Sequence, residues 1–115
     1  MELTYEDFED GVRAIRLSGR LDLEGADSID LKLTSLAAVK QGWVILDLAF
    51  VEFMASIGVG VIVRTAKALA SRDGRLVLLS PQKNVAEVLS RTQVDRIIPI
   101  YDDLVTARAA IREPN

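Results

Sequence analysis

The chain has 115 residues, half of them hydrophobic and 27% charged, which is the balance of one small globular domain spanning 1–115. It contains neither cysteine nor histidine, so it has no disulfide framework, no thiolate nucleophile, no Cys-based zinc site and no imidazole base. A formal net charge of −3 without a basic run argues against nucleic-acid binding.

The acidic start Met1-Glu2-Leu3-Thr4-Tyr5-Glu6-Asp7 lacks the basic and apolar regions of a signal peptide. No apolar run reaches the ~18 residues of a membrane span. The expectation is a cytoplasmic protein without membrane insertion. Leu3 and Tyr5 precede a turn near Glu9-Asp10-Gly11, and Val12, Ala14, Ile15 and Leu17 alternate with polar residues. This predicts a hairpin whose second strand closes at Gly19-Arg20-Leu21-Asp22. Ala26, Ile29, Leu33, Leu36 and Ala37 fall at helical spacing, and Leu31 is expected to be partly exposed.

Trp43-Val44-Ile45-Leu46-Asp47-Leu48 is a nearly continuous apolar run, the mark of a parallel strand covered on both faces. Phe50-Val51-Glu52-Phe53-Met54 reads as an apolar connection. Ser56 then opens a helix with Val59, Ile62, Val63, Ala66, Leu69 and Ala70 inward, and Gly74 is the expected left-handed end. Arg75–Leu79 is another buried strand. Ser80-Pro81 carries the N-cap and first-turn proline signature of a short helix with Val85, Val88 and Leu89 inward. Ile97–Tyr101 reads as a last strand, placed at a sheet edge because Pro99 has no N–H. Asp102-Asp103 caps a final helix with Leu104, Ala107 and Ile111 inward, and residues 112–115 are expected to fray. The order ββαβαβαβα predicts an α/β fold: a mixed, mostly parallel sheet of about five strands with four helices.

Ser56 is the most informative polar residue. A serine at a helix start can be simply an N-cap. It can also be a place for a phosphate, because the free N–H groups there favour an anion. Gly58 and Gly60 keep side chains off that first turn, allowing a partner or a phosphate to come close. Gly58-Val59-Gly60 does not continue into a dinucleotide fingerprint. Val63 holds the third glycine position, and no acidic residue follows about twenty residues on. No phosphate loop or metal cluster accompanies it, so the reading is a non-enzyme with no catalytic residue, metal or cofactor. Asp22 is either an N-cap or a polar group on the same surface as Ser56. Asp47, inside an apolar strand, must lie at the strand end or be hydrogen-bonded.

Taken together, these segments resemble a STAS domain of the bacterial anti-sigma factor antagonist type. Gly19-Arg20-Leu21-Asp22 resembles the family's Gly-x-Leu-Asp element. Val44–Leu48 with Val51–Met54 resembles its central strand and exit. Ala55-Ser56-Ile57-Gly58-Val59-Gly60 resembles its Asp-Ser-Ser/Thr-Gly-Leu-Gly box, with Ala55 where the family usually has aspartate. Leu79-Ser80-Pro81 and Val94–Tyr101 resemble its later strand ends. The resemblance implies a cytoplasmic adaptor that binds an anti-sigma factor with a GHKL-type serine kinase domain and so frees a sigma factor. It implies phosphorylation of Ser56 by that kinase, reversed by a phosphatase. It places partner binding at Asp22, Phe53, Met54, Ala55, Ser56, Ile57 and Gly58. The alternative is a STAS accessory subunit of a transporter ATPase or a stress-sensing scaffold, without a phospho-switch.

Overall fold

A computed structural model describes residues 1–113. The elements are β1 (Glu2–Asp7), β2 (Val12–Leu21), α1 (Leu23–Ala37), β3 (Trp43–Met54), α2 (Ser56–Ala70), β4 (Arg75–Leu79), α3 (Lys83–Arg91), a 3-10 turn (Val94–Arg96), β5 (Ile100–Tyr101) and α4 (Leu104–Ile111). The expected order ββαβαβαβα is the observed one. The strands lie in one sheet in the order β1-β2-β3-β4-β5, with β1 antiparallel to β2 and every later pair parallel.

Because spatial order equals chain order, each crossover steps the same way. Right-handed crossovers therefore stack their helices on one face. Ile29 and Leu33 of α1, Ile62 and Leu69 of α2, and Val85 and Leu89 of α3 pack there against Ile15, Leu17, Val44, Leu46 and Leu48. The other face receives α4, whose Ala107 and Ile111 cover Val12, Ile45, Val77 and Leu79. Trp43 packs half-buried beside this second cluster. Asp10 ties the β1–β2 turn to α4 by pairing with Arg108 at 3.1 Å and Arg112 at 3.6 Å.

Several local expectations are corrected. Phe50–Met54 is not a connection but the second half of a twelve-residue β3. It stays a strand because β2 extends alongside it to Leu21. The left-handed residue after α2 is Asp73 (φ 62°), not Gly74. Gly74 is required for space, since a Cβ there would lie 2.6 Å from the Gly42 carbonyl oxygen. Ser80-Pro81 does not start a helix. Ser80 is left-handed (φ 53°) and its hydroxyl donates to the Asp102 carbonyl at 2.7 Å, while α3 begins at Lys83. Of Ile97–Tyr101 only Ile100 and Tyr101 pair as a strand, at the expected edge position. Pro99 contributes its carbonyl, which accepts from the Leu78 N–H. Leu31 is more exposed than expected, at 80%. The expected fraying at 112–115 falls partly on residues 114–115, outside the described residues.

Candidate functional site at the start of α2

β2 and β3 end side by side, and each runs directly into a helix. The Ala55 N–H donates to the Leu21 carbonyl at 3.0 Å, so the starts of α1 and α2 share one rim of the sheet. Asp22 is the N-cap of α1: the Gly25 N–H donates to its carboxylate at 3.0 Å. That bond, helped by Arg20 beside it, holds the Asp22 carboxyl below its ordinary range. Of the two readings of Asp22, the cap is the one observed. Its side chain stays partly exposed and pairs with Arg20 at 3.5 Å, so it also lies on the rim surface.

Ser56 is not the N-cap of α2. That position is Ala55, which supplies no side-chain acceptor, and Ser56 is the first helical residue. No acidic residue stands in the first turn. The Gly58 and Val59 N–H groups donate to the Ala55 carbonyl, and no side-chain cap receives the N–H groups of Ser56 and Ile57. Ser56 is exposed at this end. Beside it, Ile57 is 43% exposed and Phe53 37% exposed.

The expected contact set therefore divides. Asp22, Phe53, Ser56 and Ile57 reach the surface, and Ala55 is half-buried between them. Met54 does not: it is 2% exposed and belongs to the core under the helices. Gly58 is buried too, and not for the sake of a partner. A Cβ there would lie 2.6 Å from Leu21 Cγ, so the glycine lets α2 approach β2. Gly60 has room for a side chain, since a Cβ there would make only an ordinary contact with Arg64 at 3.6 Å.

Two bulges in β3 produce this division. Asp47 pairs with Arg16 and Phe50 with Ser18, so Leu48 and Ala49 together face Leu17. Val51 pairs with Gly19 and Phe53 with Arg20, so Glu52 is the extra residue of a second bulge. Each bulge resets the alternation, and Val51 and Met54 both point inward while Phe50 and Phe53 both point out. Asp47 is 8% exposed in mid-strand and is the hydrogen-bonded alternative. It accepts from the Ala49 N–H at 3.0 Å and from Arg16 Nε at 3.1 Å. Arg16 stacks over Phe50 at 4.7 Å and Arg20 over Phe53 at 4.4 Å. Sequence reasoning missed Arg16, Arg20 and Phe50. Its available signal was the spacing of three in Phe50/Phe53 and Val51/Met54, which no regular strand shows.

Among the described residues no group of His, Cys, Asp or Glu side chains gathers to hold a metal ion. No helix among them is long and apolar enough to cross a membrane.

The sequence model of the STAS domain matches residues 7–107. The chain belongs to the STAS domain family. The anti-sigma F factor antagonist of Paenibacillus polymyxa is 31% identical over 98 residues, covering 84% of this STAS chain and 84% of that protein. A candidate anti-sigma factor antagonist of Thermotoga maritima is 41% identical over 69 residues, or 60% of this chain and 61% of that relative's length. The crystal structure of a candidate anti-sigma factor antagonist from Thermotoga maritima has a TM-score of 0.87 at 31% identity. It covers 96% of this STAS chain and 95% of that one.

Proposed function

We propose that this chain is an anti-sigma factor antagonist. It binds an anti-sigma factor through the rim formed by Asp22, Phe53, Ser56 and Ile57, and so frees a sigma factor. Phosphorylation of Ser56 switches the contact off. The observation that carries this reading is an exposed hydroxyl on the first residue of a helix whose cap supplies no acceptor, flanked by exposed Phe53 and Ile57. The named relatives support the antagonist role.

The physical logic runs from two properties of that rim. The two apolar side chains suit a dry contact with a partner protein. A phosphate brings about −2 charge and three acceptor oxygens into the middle of it. The free N–H groups of α2 favour the modified state within this chain, while burying the dianion against the partner disfavours the complex. The chain works in the cytoplasm and contributes no catalysis of its own. The ATP site belongs to the partner, a GHKL-type serine kinase, and a phosphatase resets the serine.

Incubation with the cognate anti-sigma kinase and ATP, followed by mass spectrometry, is expected to place one phosphate on Ser56. Ser56→Ala keeps affinity for the partner, and Ser56→Asp lowers it by about 100-fold or more, as a charge inserted in a contact core does. A protein left unmodified at Ser56 ends the switch. Unchanged binding by Ser56→Asp ends the claim that charge controls it.

A further inference from the structure

β4 ends at Leu79, opposite Asp47, so from Leu48 onward no strand among the described residues flanks β3 on that side. Two side-chain amides stand in its place. Gln82 Nε2 donates to the Ala49 carbonyl at 2.9 Å, and Asn84 Nδ2 donates to the Glu52 carbonyl at 2.7 Å. Ala49 and Glu52 are residues of the two β3 bulges. A bulge leaves its extra residue outside the ladder, and each of these carbonyls is satisfied from the start of α3 instead.

The second bulge decides which side chains form the rim. With Glu52 extruded, Phe53 points out and Met54 points in. A strand that absorbed Glu52 into the ladder would shift by one residue, turning Phe53 inward and Met54 outward. Ser56 follows two residues later, so the same shift would move the hydroxyl. We infer that Asn84, with Gln82 beside it, is a positioning residue for the rim: its amide locks the Glu52 bulge and so holds Phe53 outward and Ser56 at the start of α2. The inference rests on the reading of Phe53 and Ser56 as a contact surface. It adds that α3, which carries none of that surface, controls its register.

Asn84→Asp tests this. Asn84 is the second residue of α3, where a carboxylate suits the helix, so the variant removes the amide donor without weakening the helix. Met54 is the reporter, because its thioether is buried now and would be exposed by the shift. Under dilute hydrogen peroxide, mass spectrometry should show Met54 oxidised about tenfold faster in Asn84→Asp than in the unaltered chain, with Met1 as internal reference. Affinity for the cognate anti-sigma factor should fall about tenfold, and Asn84→Gln, which keeps an amide donor, should restore both. Amide exchange in β1 and α1 should be unchanged, which separates a local shift from general unfolding. Met54 as protected in Asn84→Asp as before overturns the lock. Faster oxidation with undiminished affinity overturns the positioning role. The oxidation arm needs no partner. If the unaltered chain binds no anti-sigma factor while Met54 still becomes reactive in the variant, the antagonist reading fails and the lock stands.

Discussion

The starts of α1 and α2 are near-copies that differ in one property. Both leave the same rim of the sheet, and both follow an extended cap residue with φ −94°. Both press a first-turn glycine onto the end of β2: Gly25 onto the Arg20 carbonyl, Gly58 onto Leu21. At α1 the cap residue is Asp22, whose carboxylate receives the Gly25 N–H, and Glu24 adds a second negative charge. At α2 the cap residue is Ala55, and the first turn has no acidic side chain. One helix start carries its own anion and the other leaves the place open. A phosphate on Ser56 would meet uncompensated N–H dipoles, whereas at α1 it would meet two carboxylates. The same backbone device thus builds a closed end and a receptive one, and the receptive one holds the exposed serine.

The glycines carry the largest expected effects. A Cβ on Gly25 would lie 2.1 Å from the Arg20 carbonyl oxygen, with backbone on both sides of the clash. Gly25→Ala should cost about 3 kcal/mol in urea denaturation. Gly58→Ala should cost less, about 2 kcal/mol, because its contacts are less close: Leu21 Cγ at 2.6 Å and the Leu21 carbonyl oxygen at 2.9 Å. Gly60→Ala is the control. Its Cβ would meet only Arg64 at 3.6 Å, so ordinary helix propensity should add up to about 1 kcal/mol. A Gly58→Ala variant as stable as Gly60→Ala would dissolve the likeness between the two helix starts.

Next in size is the cap of α1. Asp22→Ala leaves the Gly25 N–H without its acceptor and should lower the melting temperature at neutral pH by a few degrees, fewer than about 5 °C. The pH dependence has a definite sign. The folded carboxyl sits below its ordinary range, so the unfolded chain takes up the proton first. The stabilisation is present in full above the unfolded value and fades as the pH falls through the folded one. Thermal melts of the two proteins should therefore differ at pH 7 and converge once acidification has passed below the ordinary carboxylate range. A gap that persists in acid would mean that the loss is one of packing, not of an ionised cap.

How much of this was legible follows from where the neighbours come from. The first half of β3 was plain in Val44-Ile45-Leu46 because helices cover both its faces, and such burial leaves a continuous apolar run. α1 and α2 were plain because each shows one apolar stripe at helical spacing. The second half of β3 was not. Phe50-Val51-Glu52-Phe53-Met54 fits neither strand nor helix period. Its conformation is set by pairing with Ser18–Leu21 and by amides from Gln82 and Asn84, thirty or so residues away. Met54, expected at the partner surface with Phe53 and Ser56, is turned inward by the second of the β3 bulges. Gly74 misled for a different reason: its lack of a side chain serves contact with Gly42, and the left-handed turn falls on Asp73. Ser56 stood out by its place before a helix, yet the cap it was offered for belongs to Ala55, one residue earlier.

The smallest effect is the sharpest test of the comparison. Ala55 already has the extended backbone of a capping residue, with φ −94° and ψ 166°, close to the −94° and −165° of Asp22. Ala55→Asp should therefore place a carboxylate on the first-turn N–H groups without moving the chain, and raise stability by about 1 kcal/mol. It also fills the place that a phosphate would occupy. In the unaltered chain, phosphorylation of Ser56 should stabilise α2 by about 0.5 kcal/mol, because the dianion meets an uncompensated helix start. In Ala55→Asp the carboxylate and the phosphate sit on adjacent residues and repel each other, and that gain should vanish or reverse. Thermal melts of four species, each chain with and without phosphate on Ser56, measure this coupling directly. Additive shifts would mean that the two groups do not share a site, and that the open end of α2 is no more receptive than the closed end of α1.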